Sequence, residues 1–114
     1  MNISNMLRIN LLLITILISS PSHAELSTER KNELQHLLKH DCGSCHGMTL
    51  KGGLGPALLP ETLKDKPDEF LFLTIQHGRP GTPMPPWKSQ LSEQDTHWII
   101  KLLRQSNTDN IAYD

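Results

Sequence analysis

Apolar side chains gather in stretches along this sequence, and their spacing changes from one stretch to the next. Leu11 to Ile18 is an almost unbroken apolar run behind a short polar leader that holds Arg8. Over residues 25–40 the spacing becomes helical. Leu34, Leu37 and Leu38 share one face, Ser27 or Thr28 stands as cap, and Glu29 occupies the first turn, so a helix is predicted there. From Gly47 to Pro60 the breakers Gly52, Gly53, Gly55, Pro56 and Pro60 alternate with Leu50, Leu54, Leu58 and Leu59. That mixture predicts a loop folded on apolar anchors. A short helix is expected at Glu61 to Lys64. A longer one opens at Pro67, with Asp68 and Glu69 behind it, carries Phe70, Leu71, Leu73, Thr74 and Ile75, and stops at Gly78. The segment Arg79 to Trp87 contains Pro80, Pro83, Pro85 and Pro86, which exclude both helix and central strand. A last helix begins at Ser92, where Asp95 stands in for the Glu or Gln of a capping box. Its apolar face is Trp98, Ile99, Leu102 and Leu103. Beyond Gln105 the tail is polar and expected to fray. Strand-like alternation is missing throughout, so the predicted class is all-α, a small helical domain.

The first apolar run changes the domain count. Arg8, the run, and then Ser22-His23-Ala24 have the order of a secretory signal peptide, with 1–24 removed and 25–114 forming one domain. An uncleaved membrane anchor is the alternative, but a spanning helix needs about 20 apolar residues and this run is about half that. Export is therefore expected. The formal net charge is −1, one unit more negative without Arg8. No basic stretch points to nucleic acid and no acidic tail to disorder. Aromatic residues make up only 4% of the chain, and a domain this small builds a thin core from side chains alone. Such domains need a staple, and the only two cysteines, Cys42 and Cys45, do not make a disulfide framework. A covalently held apolar group would fill the gap.

The two cysteines lie in Cys42-Gly43-Ser44-Cys45-His46, the C-x-x-C-H arrangement for haem attachment. Two thiols three positions apart on a helical turn can each add to a haem vinyl group, and the following histidine then lies under the ring with an imidazole nitrogen for the iron. A redox dithiol would come with a βαβ pattern, and a zinc site with four ligands at paired spacings. Neither accompanies this motif. One covalent haem c per chain is the cofactor expected.

A second iron ligand, or an open site, has to follow. Met48 is two residues beyond His46 and too close to reach the other face. Met84 sits in the later loop, where Pro83, Pro85 and Pro86 restrict the backbone and lower the entropy cost of holding a weak thioether ligand. Core filler is the ordinary role of such a methionine. His77 is a competing ligand that would give bis-histidine iron and a lower potential, although a histidine beside a helix-ending glycine more often meets the last carbonyls. If neither binds, an open gas-binding or catalytic iron results. The loop at Gly55-Pro56 is positioned to supply a carbonyl to the second nitrogen of His46. Arg79 and Trp87 carry donors for haem propionates, with a solvated Arg and a packed Trp as alternatives. His36, His40 and His97 fall on helices and receive no role. No carboxylate pair or Ser/His/Asp arrangement points to other catalysis.

These residues resemble the class I cytochromes c over essentially the whole chain after the leader. The resemblance is nearer still to the small cytochromes c-55X that accompany nitrite-reductase genes in denitrifying bacteria. It rests on Asp41 to Met48, on Lys51 to Leu58, and on His77 to Trp87. The resemblance implies the cytochrome c fold, with N- and C-terminal helices crossing beside the haem, and His46 and Met84 as axial ligands. It further implies a periplasmic, monomeric electron carrier, not an enzyme. The carrier would receive electrons from a quinol-linked donor and pass them to a cytochrome cd-type nitrite reductase. A role in maturing that enzyme's d-type haem is the alternative the family also carries.

Overall fold

The computed structural model describes residues 24–105, together with Ile3. The leader over 1–24 and the polar tail beyond Gln105 therefore lie outside the described residues, apart from Ile3 and Ala24. Among the described residues every regular element is helical, and no helix is long and apolar enough to cross a membrane.

The first helix, α1 (Thr28–Leu37), starts where Ser27 accepts a hydrogen bond from the Arg30 N–H at 3.1 Å. Ser27 is thus the cap, satisfying one of the amides that a helix start leaves open. The helical path does not stop near residue 40 as the apolar spacing predicted. It widens into a π turn, Leu38–Cys42, and tightens again into α2, Gly43–His46. The attachment motif is itself helical, Cys42 closing the π turn that buries Leu38 and the next four residues forming α2. Such π turns are often found at functional sites.

The remaining helices are α3 (Pro60–Leu63), α4 (Asp68–His77) and α5 (Glu93–Gln105). Pro67 caps α4 in an extended conformation and does not form its first turn. At α5 the reciprocal cap forms as spaced: the Asp95 N–H donates to Ser92 Oγ at 3.0 Å, and the Ser92 N–H donates to Asp95 Oδ2 at 2.9 Å.

Leu34 and Leu38 from the N-terminal helical segment meet Ile99 and Leu103 of α5, with Leu50, Leu63 and Leu91 from the connections, in one buried cluster. Full burial of each such side chain contributes about 1.5–3 kcal/mol. The buried face of α5 includes Ile100 and is rotated from the expected stripe, since Trp98 and Leu102 are only half-buried. Polar contacts lock the ends. Arg30 bonds Asp95 through Nε at 3.2 Å and Nη2 at 2.8 Å, joining α1 to α5. Arg104 bonds Asp68 at 2.6 Å and the Leu63 carbonyl at 3.0 Å, holding α5 to the turn between α3 and α4.

Candidate haem site

Between these helices lies a cavity of about 620 Å³ with predominantly apolar walls, a volume within the range of about 300–1,000 Å³ typical of cofactor sites. Cys42, at the end of the π turn, and Cys45 and His46, on α2, all line it. Cys42 and Cys45 form no disulfide. Burial, with Asp41 adding to it, pushes the Cys42 thiol up to about 11. A dithiol that exchanges disulfides needs the opposite shift, toward the thiolate. No group of three or more His, Cys, Asp or Glu side chains among the described residues is placed to hold a metal ion, so the four-ligand zinc alternative lacks its donors.

His46 is held in one orientation. Its Nδ1 lies 2.7 Å from the Pro56 carbonyl oxygen, and an Nδ1–H donating there leaves Nε2 with a free lone pair. The carbonyl comes from the loop that holds Gly55 and Pro56. The loop is clamped to the motif by Gly52 N–H to His46 O at 2.9 Å and Gly55 N–H to Cys45 O at 2.8 Å. These bonds satisfy carbonyls at the end of α2. At Gly55 a Cβ would stand 2.8 Å from both Cε1 and Nδ1 of the imidazole. Only glycine lets the backbone lie this close to the ring.

The loop after α4 brings Pro83, Met84 and Pro85 to the same cavity, with Met84 half-buried. Its path is set by several bonds. The Arg79 N–H donates to Met84 O at 3.1 Å, and the Met84 N–H donates to Thr82 Oγ1 at 3.3 Å. Thr82 in turn donates to Arg79 O at 2.6 Å. Beyond the prolines, the Trp87 N–H donates to Ile75 O at 3.0 Å and the Lys88 N–H to Gln76 O at 3.2 Å. Gln76 is itself buried and donates to Leu91 O at 3.2 Å and Thr96 Oγ1 at 2.6 Å. The Met84 loop is therefore pinned at its base to both α4 and α5. Gly78 makes the crossing possible. Its φ of 67° and ψ of −169° lie in a region open essentially to glycine alone.

Arg79, Trp87 and Pro56 also line the cavity. The competing candidates do not. Met48 is half-exposed, with its sulfur near Gly43, and His77 is exposed at the end of α4 and outside the lining. Lys66 and Thr82 are lining residues that sequence reasoning missed. For Thr82 a signal existed, a hydroxyl residue two positions before the methionine and able to form a local turn. Lys66 carried none.

The residues fit a covalent porphyrin. Two thiols, one free imidazole nitrogen and a thioether border a single apolar cavity, and the imidazole has its second-nitrogen partner in place.

Comparison with known proteins points the same way. A family model described as cytochrome C oxidase, cbb3-type, subunit III matches residues 29–103. The chain is 58% identical over 74 residues to a cytochrome c55X of Pseudomonas aeruginosa, and the match covers 65% of this chain and 62% of that relative's length. A solved structure of the c-type cytochrome NirC superposes with a TM-score of 0.70 at 51% identity, covering 73% of this chain and 98% of that chain. Part of a larger protein is also similar. The structure of dihydro-heme d1 dehydrogenase NirN in complex with DHE matches with a TM-score of 0.59 at 35% identity, over 63% of this chain and 16% of that one.

Proposed function

The chain belongs to the c-type cytochromes, has their all-α fold and carries one covalent haem c, and from that premise we propose that it is a periplasmic carrier of single electrons in nitrite respiration. The observation that carries the proposal is the convergence of Met84 on the cavity lined by Cys42, Cys45 and His46. His46 through Nε2 and Met84 through its thioether would hold the iron, and an iron so held would suit one-electron transfer better than bond-making chemistry.

Haem c supplies the one-electron ferric/ferrous couple. The chain's own residues do the rest. Cys42 and Cys45 tether the macrocycle by thioethers. Pro56 O orients His46 and raises its basicity as a ligand. The apolar walls keep water out and, together with a neutral thioether, favour the reduced state and so raise the potential. Arg79 and Trp87 are positioned to hold propionates at the cavity edge. Signal cleavage after Ala24, a monomeric state and the absence of any catalytic activity complete the proposal. The resemblance to cytochromes c55X supports a cytochrome cd-type nitrite reductase as acceptor and a quinol-linked protein as donor.

The test is spectroscopic and genetic. The ferric protein should show the sulfur-to-iron charge-transfer band, and the ferrous protein should resist carbon monoxide at neutral pH. Ready carbon monoxide binding without that band would overturn the carrier assignment. A second reading, an accessory in d-type haem maturation, is supported by the similarity to part of a dihydro-heme d1 dehydrogenase. Deleting the gene separates the two. Normal d-haem content with slow reduction of nitrite reductase indicates the carrier, and lost d-haem content indicates the accessory.

A further inference from the structure

Two imidazoles outside the haem cavity stand against each other on the surface. His36, in the last turn of α1, and His40, in the π turn, have ring centroids 4.2 Å apart with planes inclined at 42°. Both are exposed, and neither borders the cavity. We propose that His36 and His40 form a two-nitrogen chelate for a transition-metal dication, with Cu2+ as the preferred ion.

The argument begins with spacing. His36 and His40 stand four positions apart across the join of α1 and the π turn, and their ring contact puts them on one face of a segment held by the Ser27 cap and the buried Leu34 and Leu38. Two imidazole nitrogens bound to one ion at about 2.0 Å each, in adjacent coordination positions, must lie roughly 3 Å apart. The ring centroids already stand 4.2 Å apart, and side-chain rotation is the adjustment the chelate requires. Neutral imidazole is a good ligand for copper, nickel and zinc, and affinity at a nitrogen site peaks at Cu2+. No third His, Cys, Asp or Glu among the described residues is placed to complete the set, so water fills the remaining positions and nothing biases the site from copper toward tetrahedral zinc. The chelate bridges α1 and the π turn. A bound ion therefore braces the helical segment that leads into Cys42.

The experiment titrates CuCl2 into the haem-loaded protein, with calorimetry for stoichiometry and electron paramagnetic resonance for the ligands. One Cu2+ per chain with two equatorial nitrogens is expected. His36→Ala and His40→Ala should each weaken binding about tenfold or more, while His77→Ala and His97→Ala leave it unchanged. Binding that survives both His36→Ala and His40→Ala, equal loss in the His77→Ala or His97→Ala variants, or no saturable binding overturns the proposal. A measurement on the unsubstituted protein makes the result independent of variant folding. Cu2+ should protect His36 and His40 from acylation by diethyl pyrocarbonate, mapped by peptide mass, and unprotected rings would equally overturn it.

Discussion

A Gly78→Ala substitution places a Cβ 2.6 Å from Met84 O, 2.7 Å from the Pro85 carbonyl carbon and 2.8 Å from Pro86 N. All three are backbone atoms, so no side chain can swing aside. Ordinary contact begins at 3.4 Å, and the Met84 segment must retreat by about 0.8 Å to accommodate the methyl group. Alanine also resists the local φ of 67° and ψ of −169°, at about 1–3 kcal/mol. The retreat stretches the 3.1 Å bond from Arg79 N–H to Met84 O, a loss of about 1 kcal/mol. Together these act with about 2–4 kcal/mol against the loop that presents Met84, while the Cys42–His46 motif lies on another element. The variant should therefore keep its thioether-bound haem, show a weakened or missing ferric sulfur-to-iron band, bind carbon monoxide when ferrous, and unfold at lower urea. Gly81→Ala is the control. Gly81 also has positive φ, 80°, but a Cβ there meets nothing within 4 Å. It incurs conformational strain without a clash, so its sulfur band should survive. If Gly78→Ala retains the band and the stability of the parent, or if Gly81→Ala loses the band equally, the steric account of the Met84 loop is wrong.

Met84→Ala should leave haem attachment intact, open the iron to carbon monoxide and lower the reduction potential, as followed by optical redox titration; an unchanged spectrum would remove Met84 as a ligand. Gly55→Ala drives a Cβ to 2.8 Å from the His46 ring, and it should reduce the yield of haem-loaded protein or shift the absorption bands, measured against the parent expressed in parallel. Asp95→Asn should destabilise the fold at pH 7 by about 1–2 kcal/mol, the value for charged hydrogen bonds discounted because Arg30 is a third exposed. Arg30, then burial working the other way, and then Ser92 leave the Asp95 carboxyl below its ordinary value of 3.8. A depressed folded-state pKa gives stability that is present above the ordinary value and lost as pH falls through the depressed one. Urea midpoints of parent and variant should thus differ at pH 7 and converge well below pH 4; a gap that persists there would refute this role of Asp95.

Much of this architecture was legible because it is local. Capping by Ser27, the Ser92–Asp95 exchange, the prolines of the Met84 loop and the C-x-x-C-H spacing each act within one turn of chain, so residue order alone determines them. The carbonyl that meets His46 comes from Pro56, ten residues on, and it is the folded loop, bonded back to Cys45 and His46, that brings it there. Tertiary structure decided what spans distance. Asp95 read as a cap, and the fold also made it the partner of Arg30, 65 residues earlier. Gln76 received no role from the sequence, yet it is buried and ties α4 to Thr96. Gly78 read as a helix stop, while its larger role is to let Met84 and Pro85 cross the helix end. The π turn, the rotated face of α5 that buries Ile100, and the contact of His36 with His40 likewise left no mark in apolar spacing. Spacing records which side of an element is apolar. The distances at which elements meet, and hence the placement of Met84 at the haem cavity, come only when the whole chain packs.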